Sequence, residues 1–222
     1  MESRMERSAP KLRSRCIVLV AYGMLVSFCG CNLLATAMYI VSGANVAAEF
    51  KGLQGKKVAV VCRPITSLQY RNSSVAHDMA KQVGNLLKKN VPKATIIEQR
   101  EIDAWADENN WEDYVEIGKA LGADLVVGLD LEQFSLYEGK TLYQGKANLT
   151  IVVIDVEKGK EPVFEKPLPQ IHYPPNSAIP AGDRPEAEFR RKFVGELAEQ
   201  IARHFYDHDS YVDFASDSTA LN

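Results

Sequence analysis

His204 and His208 stand four residues apart, beside Asp207 and Asp209. On a helix that spacing puts two imidazoles on one face, where they could share a metal ion. The pair falls where a helical pattern runs into a polar tail, and the glutamate of a His-Glu-x-x-His arrangement is missing. A solvated helix end with favourable dipole contacts is the plainer reading. Cys62 closes the apolar run Val58–Val61, with Arg63 as its one basic neighbour, which describes a buried, inert thiol. Gly52-Leu53-Gln54-Gly55-Lys56-Lys57 lacks the spacing and final hydroxyl of a phosphate loop, and it precedes a strand instead of joining strand to helix. Asp107, Glu108, Glu112 and Asp113 form a charge run of the kind that faces solvent. No nucleophile elbow, zinc spacing, dinucleotide fingerprint or kinase set is present. No residue stands out as catalytic or as a metal ligand, no cofactor is implied, and a non-enzymatic chain is expected.

Binding chemistry is better represented. Seven of the ten prolines lie between residues 162 and 185. Proline lowers the entropy that an extended segment loses on binding. Leu168, Ile171, His172, Tyr173, Pro174 and Pro175 add apolar and aromatic contacts, and they are the expected partner-binding residues. The other reading of the segment is an ordered crossover that covers a sheet edge. Phe134, Tyr137, Leu142 and Tyr143 flank the Glu138-Gly139 turn, either as an aromatic contact patch or as core-facing rings at alternating positions.

These residues need elements to hold them. Val58–Cys62 is a continuous apolar run, suited to a strand covered on both faces. Ser73 or Ser74 can cap a helix carrying Val75, Met79, Val83, Leu86 and Leu87, closed before Pro92. Ala94–Glu98 reads as a second strand, Glu101–Asn109 as a short helix with Ile102 and Trp105 inward, and Asp113–Leu121 as another that Gly122 caps. Asp124–Leu131 is a third strand, and Phe134–Tyr137, Thr141–Val156 and Pro162–Glu165 continue as a meander. Phe189, Phe193, Leu197, Ile201 and Phe205 fall four apart on a last helix, Glu186–Tyr206. The order β-α-β-α-β-β-β-α predicts an α/β fold with a single mixed five-stranded sheet, parallel first and antiparallel later.

The 222 residues are not uniform. Residues 1–15 carry five basic and two acidic side chains, and no charge follows from Cys16 to Ala48. The stretch 16–41 is long enough to span a bilayer, and the basic head places the N-terminus in the cytoplasm. After residue 48 there remain 21 basic and 27 acidic side chains, an acidic balance that argues against nucleic-acid binding. The expected organisation is a signal or membrane anchor over 1–48, a linker over 49–56, an α/β domain over 57–206 and an acidic tail over 207–222. Phe28-Cys29-Gly30-Cys31 resembles a bacterial lipobox, in which Cys31 would carry the lipid. An uncleaved transmembrane helix is the alternative, and both readings tether the domain.

Ile96-Ile97-Glu98-Gln99-Arg100-Glu101-Ile102, followed by Ile117-Gly118-Lys119-Ala120-Leu121-Gly122-Ala123-Asp124-Leu125-Val126-Val127-Gly128, resembles bacterial envelope lipoproteins of the CsgG, LpoB and TolB N-terminal type. The resemblance covers roughly 56–206. It implies an accessory protein on the periplasmic side of a bacterial envelope, held to a membrane and bound to an unidentified envelope protein. A second expectation is a glycan- or lipid-binding pocket at the carboxyl ends of the parallel strands, near Arg63–Asn72.

Overall fold

Val58 and Val60 are buried on one side of their strand, and Ala59 and Val61 on the other. A run with no polar face requires cover on both faces of the sheet, and the fold supplies it. The computed structural model describes residues 45–64 and 69–209, with 69–73 described by their backbone alone. The expected anchor, Cys31 and the tail beyond Asp209 lie outside the described residues. From Val46 onward the described residues belong to one compact unit.

The strands of the main sheet are β1 (Lys57–Pro64), β2 (Thr95–Ile96), β3 (Leu125–Glu138), β4 (Leu142–Asp155), β5 (Pro162–Pro167), β6 (Ile171–Tyr173) and β7 (Ile179–Pro180). The helices are α1 (Gln69–Asn90), α2 (Gln99–Glu108), α3 (Tyr114–Leu121) and α4 (Glu186–Ala202). The sheet runs β2-β1-β3-β4-β5, and β6 and β7 also pair with β4. β1 is parallel to β2 and β3, and every later pairing is antiparallel. The expected five-stranded sheet is instead seven-stranded: five strands form its main path, and the short β6 and β7 pair with β4 beside it.

One core lies beneath α1 and α4, where Met79, Val83, Leu87, Phe189, Phe193 and Leu197 meet the inward residues of β1, β3 and β4. The other lies beneath α2 and α3, where Ile102, Tyr114, Ile117 and Leu121 meet Ala59, Val61, Val126 and Val152. Gly128 makes the second packing possible. A Cβ there would stand 2.5 Å from the Tyr114 ring and 2.7 Å from Val152. Asp113 caps α3 by accepting from the Glu116 N–H, and Gly122 closes it at φ 61°, as expected from the sequence.

Three expectations are corrected. α1 begins at Gln69, four residues before the earlier of the two expected caps. Packing along a 22-residue helix outweighs the weak local preference of Asn72, Ser73 and Ser74 for non-helical backbone. β2 is two residues long, not five, because the chain turns into α2 at Gln99. The expected break between the strands at 131 and 134 is a β-bulge within one 14-residue strand. The bulge resets the alternation, which in the sequence looks like an interruption.

The segment from Ala48 to Leu53 lies against the domain. The Ala48 N–H donates to Asp207 at 2.8 Å, and the Phe50 N–H donates to the His204 carbonyl at 3.0 Å. The Phe50 ring meets Phe164 and Phe205, and Leu53 is fully buried.

Candidate functional site

The proline-rich segment zips along the outer edge of β4. Pro167 stands opposite Thr150, Ile171 opposite Ala147, Tyr173 opposite Gly145 and Pro180 opposite Leu142. It is an edge strand in three pieces. Proline removes a ladder donor, so it is tolerated at such an edge and blunts it against further pairing. Ile171 and Tyr173 are 7% exposed and face the first core, Pro174 is buried beside them, and Leu168 packs partly against that core. Tyr173 stacks on Phe193 with centroids 6.1 Å apart. Gly145 gives Phe193 its place, since a Cβ there would sit 2.6 Å from the ring. His172 remains partly exposed and Pro175 exposed. The aromatic group at the hairpin tip divides in the same way. Phe134 and Tyr143 are buried, whereas Tyr137 and Leu142 are each 37% exposed.

His172 belongs to a larger surface. α2 and α3 cover the second sheet face only as far as the row of Val152. Beyond that row the same face of the β3–β4 hairpin carries polar side chains in cross-strand rows. One row is Gln133, Asn148 and Gln170, and the next is Ser135, Lys146 and His172, as the strand registers and the position of Gln170 beside Ile171 require. Gln170 Nε2 donates to Gln133 Oε1 at 3.2 Å, and a His172 ring nitrogen lies 3.1 Å from Gln170 Oε1. Lys146 pairs with Glu138 and holds its carboxyl below the ordinary range, with His172 adding a smaller effect. At the centre, Asn148 Oδ1 is buried and has no hydrogen-bond partner. A buried acceptor without a donor costs stability.

A second polar group joins β1, β3 and α3. Arg63 and Asp130 are register partners on β1 and β3. Arg63 Nε and Nη2 lie 3.0 and 2.9 Å from Asp130 Oδ1, and the Tyr114 hydroxyl donates to the same oxygen at 2.7 Å. The Arg63 guanidinium carbon stands 4.7 Å from the Tyr114 ring centroid. Burial and the Asp130 carboxylate raise the Tyr114 phenol well above its ordinary value. Cys62 is partly exposed as a residue, yet burial, with Asp130 nearby, pushes its thiol up to about 12. A thiol at that value is not a nucleophile near neutral pH. The group locks the start of α3 to the sheet.

His204 and His208 do not act as a pair. His204 Nδ1 lies 3.1 Å from Glu49, and His208 Nδ1 lies 3.3 Å from the Tyr206 carbonyl. Burial holds His204 below its ordinary value, against the opposing pull of Glu49. No group of three or more His, Cys, Asp and Glu side chains placed to hold a metal occurs among the described residues. No helix among them is long and apolar enough to cross a membrane.

Two adjoining hollows of about 400 and 670 Å³ lie between α1 and α2, at the carboxyl ends of β1 and β2. Both are lined by His77, Ala80, Gln99 and Asp103. His77 Nδ1 is 2.7 Å from Asp103 Oδ2, and Gln99 Nε2 donates to Asp103 Oδ1 at 2.9 Å. Of the expected pocket position near Arg63–Asn72, Pro64 lines the larger hollow and Arg63 lines neither, and residues 65–68 lie outside the described residues. His77 and Asp103 come together only because β2 is short enough to bring α2 back beside α1. Arg63 and Asp130 were within reach, since each follows an apolar run and aligning the two runs places them side by side.

No protein-family model matches the chain, and no curated protein matches it. Among solved structures it is similar to a PelC dodecamer subunit from Paraburkholderia phytofirmans, at 10% identity and a TM-score of 0.42, covering 72% of this chain and 96% of that one. It is also similar to lipoprotein GNA1162 from Neisseria meningitidis, at 10% identity and 0.42, covering 66% and 97%. The LpoB C-terminal domain from Salmonella enterica is similar at 15% identity and 0.36, covering 61% and 90%. Likeness of this size fixes no function.

Proposed function

We propose that the chain is a membrane-tethered accessory protein of a bacterial envelope, with its α/β domain on the periplasmic side. It acts by binding another envelope protein and catalyses no reaction. The contact surface is the helix-free face of the β3–β4 hairpin together with the outward residues of the edge segment, above all His172, Gln170 and Pro175. Leu168, Ile171, Tyr173 and Pro174 serve that surface by fixing the segment in place. The single observation that carries the reading is the pair of polar cross-strand rows on a sheet face that no helix covers. Tethering supports it further, because confinement to a membrane face raises local concentration and lets a weak contact suffice. The sequence supports the tether with its basic head and the uncharged stretch 16–48.

The test is co-purification after cross-linking in intact membranes, with the full-length protein carrying Gln133→Lys and His172→Glu. Neither side chain is buried, so the fold persists. A partner recovered with the wild type and lost with the double variant supports the surface. Equal recovery from both refutes it. Deleting residues 167–181 would not serve, because it removes Ile171 and Tyr173 from the core.

A further inference from the structure

β1 is a central strand over its first two residues and an edge strand after that. On its β2 side the register ends with Val58 opposite Ile96, and one more bond follows, from the Ile97 N–H to the Val58 carbonyl. Among the described residues no strand pairs with that side of β1 beyond this point. In a parallel ladder, alternate residues direct both backbone groups to the same side. Lys57 points its carbonyl toward β3, accepting from the Asp124 N–H, and Lys56 and Val58 point theirs toward β2. Cys62 therefore presents its N–H and C=O on the side that β2 has vacated.

That side is the floor of the α1–α2 cleft. Val60 lines the smaller hollow, and Cys62 and Pro64 line the larger. The α1 wall is low because Ala76, Ala80 and Gly84 follow one another at four-residue spacing. The ends of the cleft differ in charge. Lys81 and Arg100 line the smaller hollow, and Asp107 lines the larger, which contains no lysine or arginine. The His77–Asp103 pair crosses the middle. Its side chains are 42% and 31% exposed, so parting it costs little.

We infer that this cleft takes an extended peptide segment of a partner protein, which adds as a strand to the free edge of β1 between α1 and α2. An unpaired strand edge is a ready template for another backbone, and adding one is an established mode of peptide recognition. The cleft selects a segment with an acidic residue over Lys81 and Arg100 and a basic residue over Asp107. Small or β-branched side chains suit the space between them. This site lies apart from the hairpin surface and does not depend on it.

The probe is a synthetic heptapeptide alternating valine and threonine, with aspartate at one end and lysine at the other. It is added to the full-length protein in detergent, and hydrogen exchange is read residue by residue, with affinity from fluorescence anisotropy of labelled peptide. Binding should slow exchange at the Cys62 amide. It should be tighter than for the same peptide with lysine at both ends. Gly84→Leu should abolish it, because the new side chain fills the cleft. A Cβ at Gly84 meets Ile96 at 3.5 Å, an ordinary contact; an unchanged urea midpoint for Gly84→Leu shows that the loss of binding is not a loss of fold, and Lys81→Glu, an exposed change, should weaken binding of the same peptide on its own. His77→Ala should leave affinity unchanged or improve it. The inference is overturned if no binding occurs up to about 1 mM, a ceiling near −4 kcal/mol. It is also overturned if Gly84→Leu binds as well as the wild type, or if protection appears on β5 instead of at Cys62.

Discussion

Gly128 and His204 are the residues whose chemistry reaches furthest. Gly128→Ala would drive a methyl into the Tyr114 ring and Val152. Overpacking of this kind costs about 1–3 kcal/mol. Because Tyr114 also donates to Asp130, the displaced ring should loosen Arg63 as well. Urea denaturation should show the loss, and an unchanged midpoint would contradict the packing described. His204 makes stability depend on pH. Its folded value lies below the ordinary 6.5, so on acidification the unfolded chain takes up the proton first. The contribution is complete above 6.5 and is lost as pH falls toward the folded value. Glu49, held low chiefly by Lys166, adds a second loss below its ordinary 4.5. Denaturation midpoints should fall between pH 7.5 and 5.5 in the wild type and fall less in His204→Gln. Equal slopes would dismiss this role.

At the scale of elements, the edge segment along β4 is the informative case. Ile171→Ala should cost about 2–5 kcal/mol, as large-to-small changes in a core do. His172→Ala, one residue away on the other face, should stay within about 0.5 kcal/mol. Similar losses for both would mean that the segment is not a strand of the described register. The alternation of Ile171, His172 and Tyr173 was visible in the sequence, but seven prolines in one stretch weigh against a strand. What the sequence could not show is that β4 is long enough to receive the segment in three separate pieces. α3 was legible because its limits are local: Asp113 caps its start and Gly122 its end. β2 and the cleft beside it were not, because the length of β2 depends on where α2 packs. The His77–Asp103 pair depends on the same packing, across 26 residues of chain.

In the whole molecule, the first segment of the domain is fastened down from Ala48. The seven residues from Val41 to Ala48 reach at most about 25 Å. If the stretch 16–41 spans the membrane, those residues limit how far from its surface the domain can begin. A lipid on Cys31 would lengthen that reach. Metabolic labelling with a fatty acid separates the two. The lipidated form predicts label in the wild type and none in Cys31→Ala, and equal labelling rejects it.

The helix-free face of the β3–β4 hairpin is the proposed meeting place of this protein and its partner. The direct measurement places a photo-cross-linking residue at Gln170 of the full-length protein in living cells, and in parallel at Glu157 in the exposed turn after β4. One discrete heavier adduct is expected from position 170 and none from 157. No adduct at 170, or the same adducts at both positions, would contradict it.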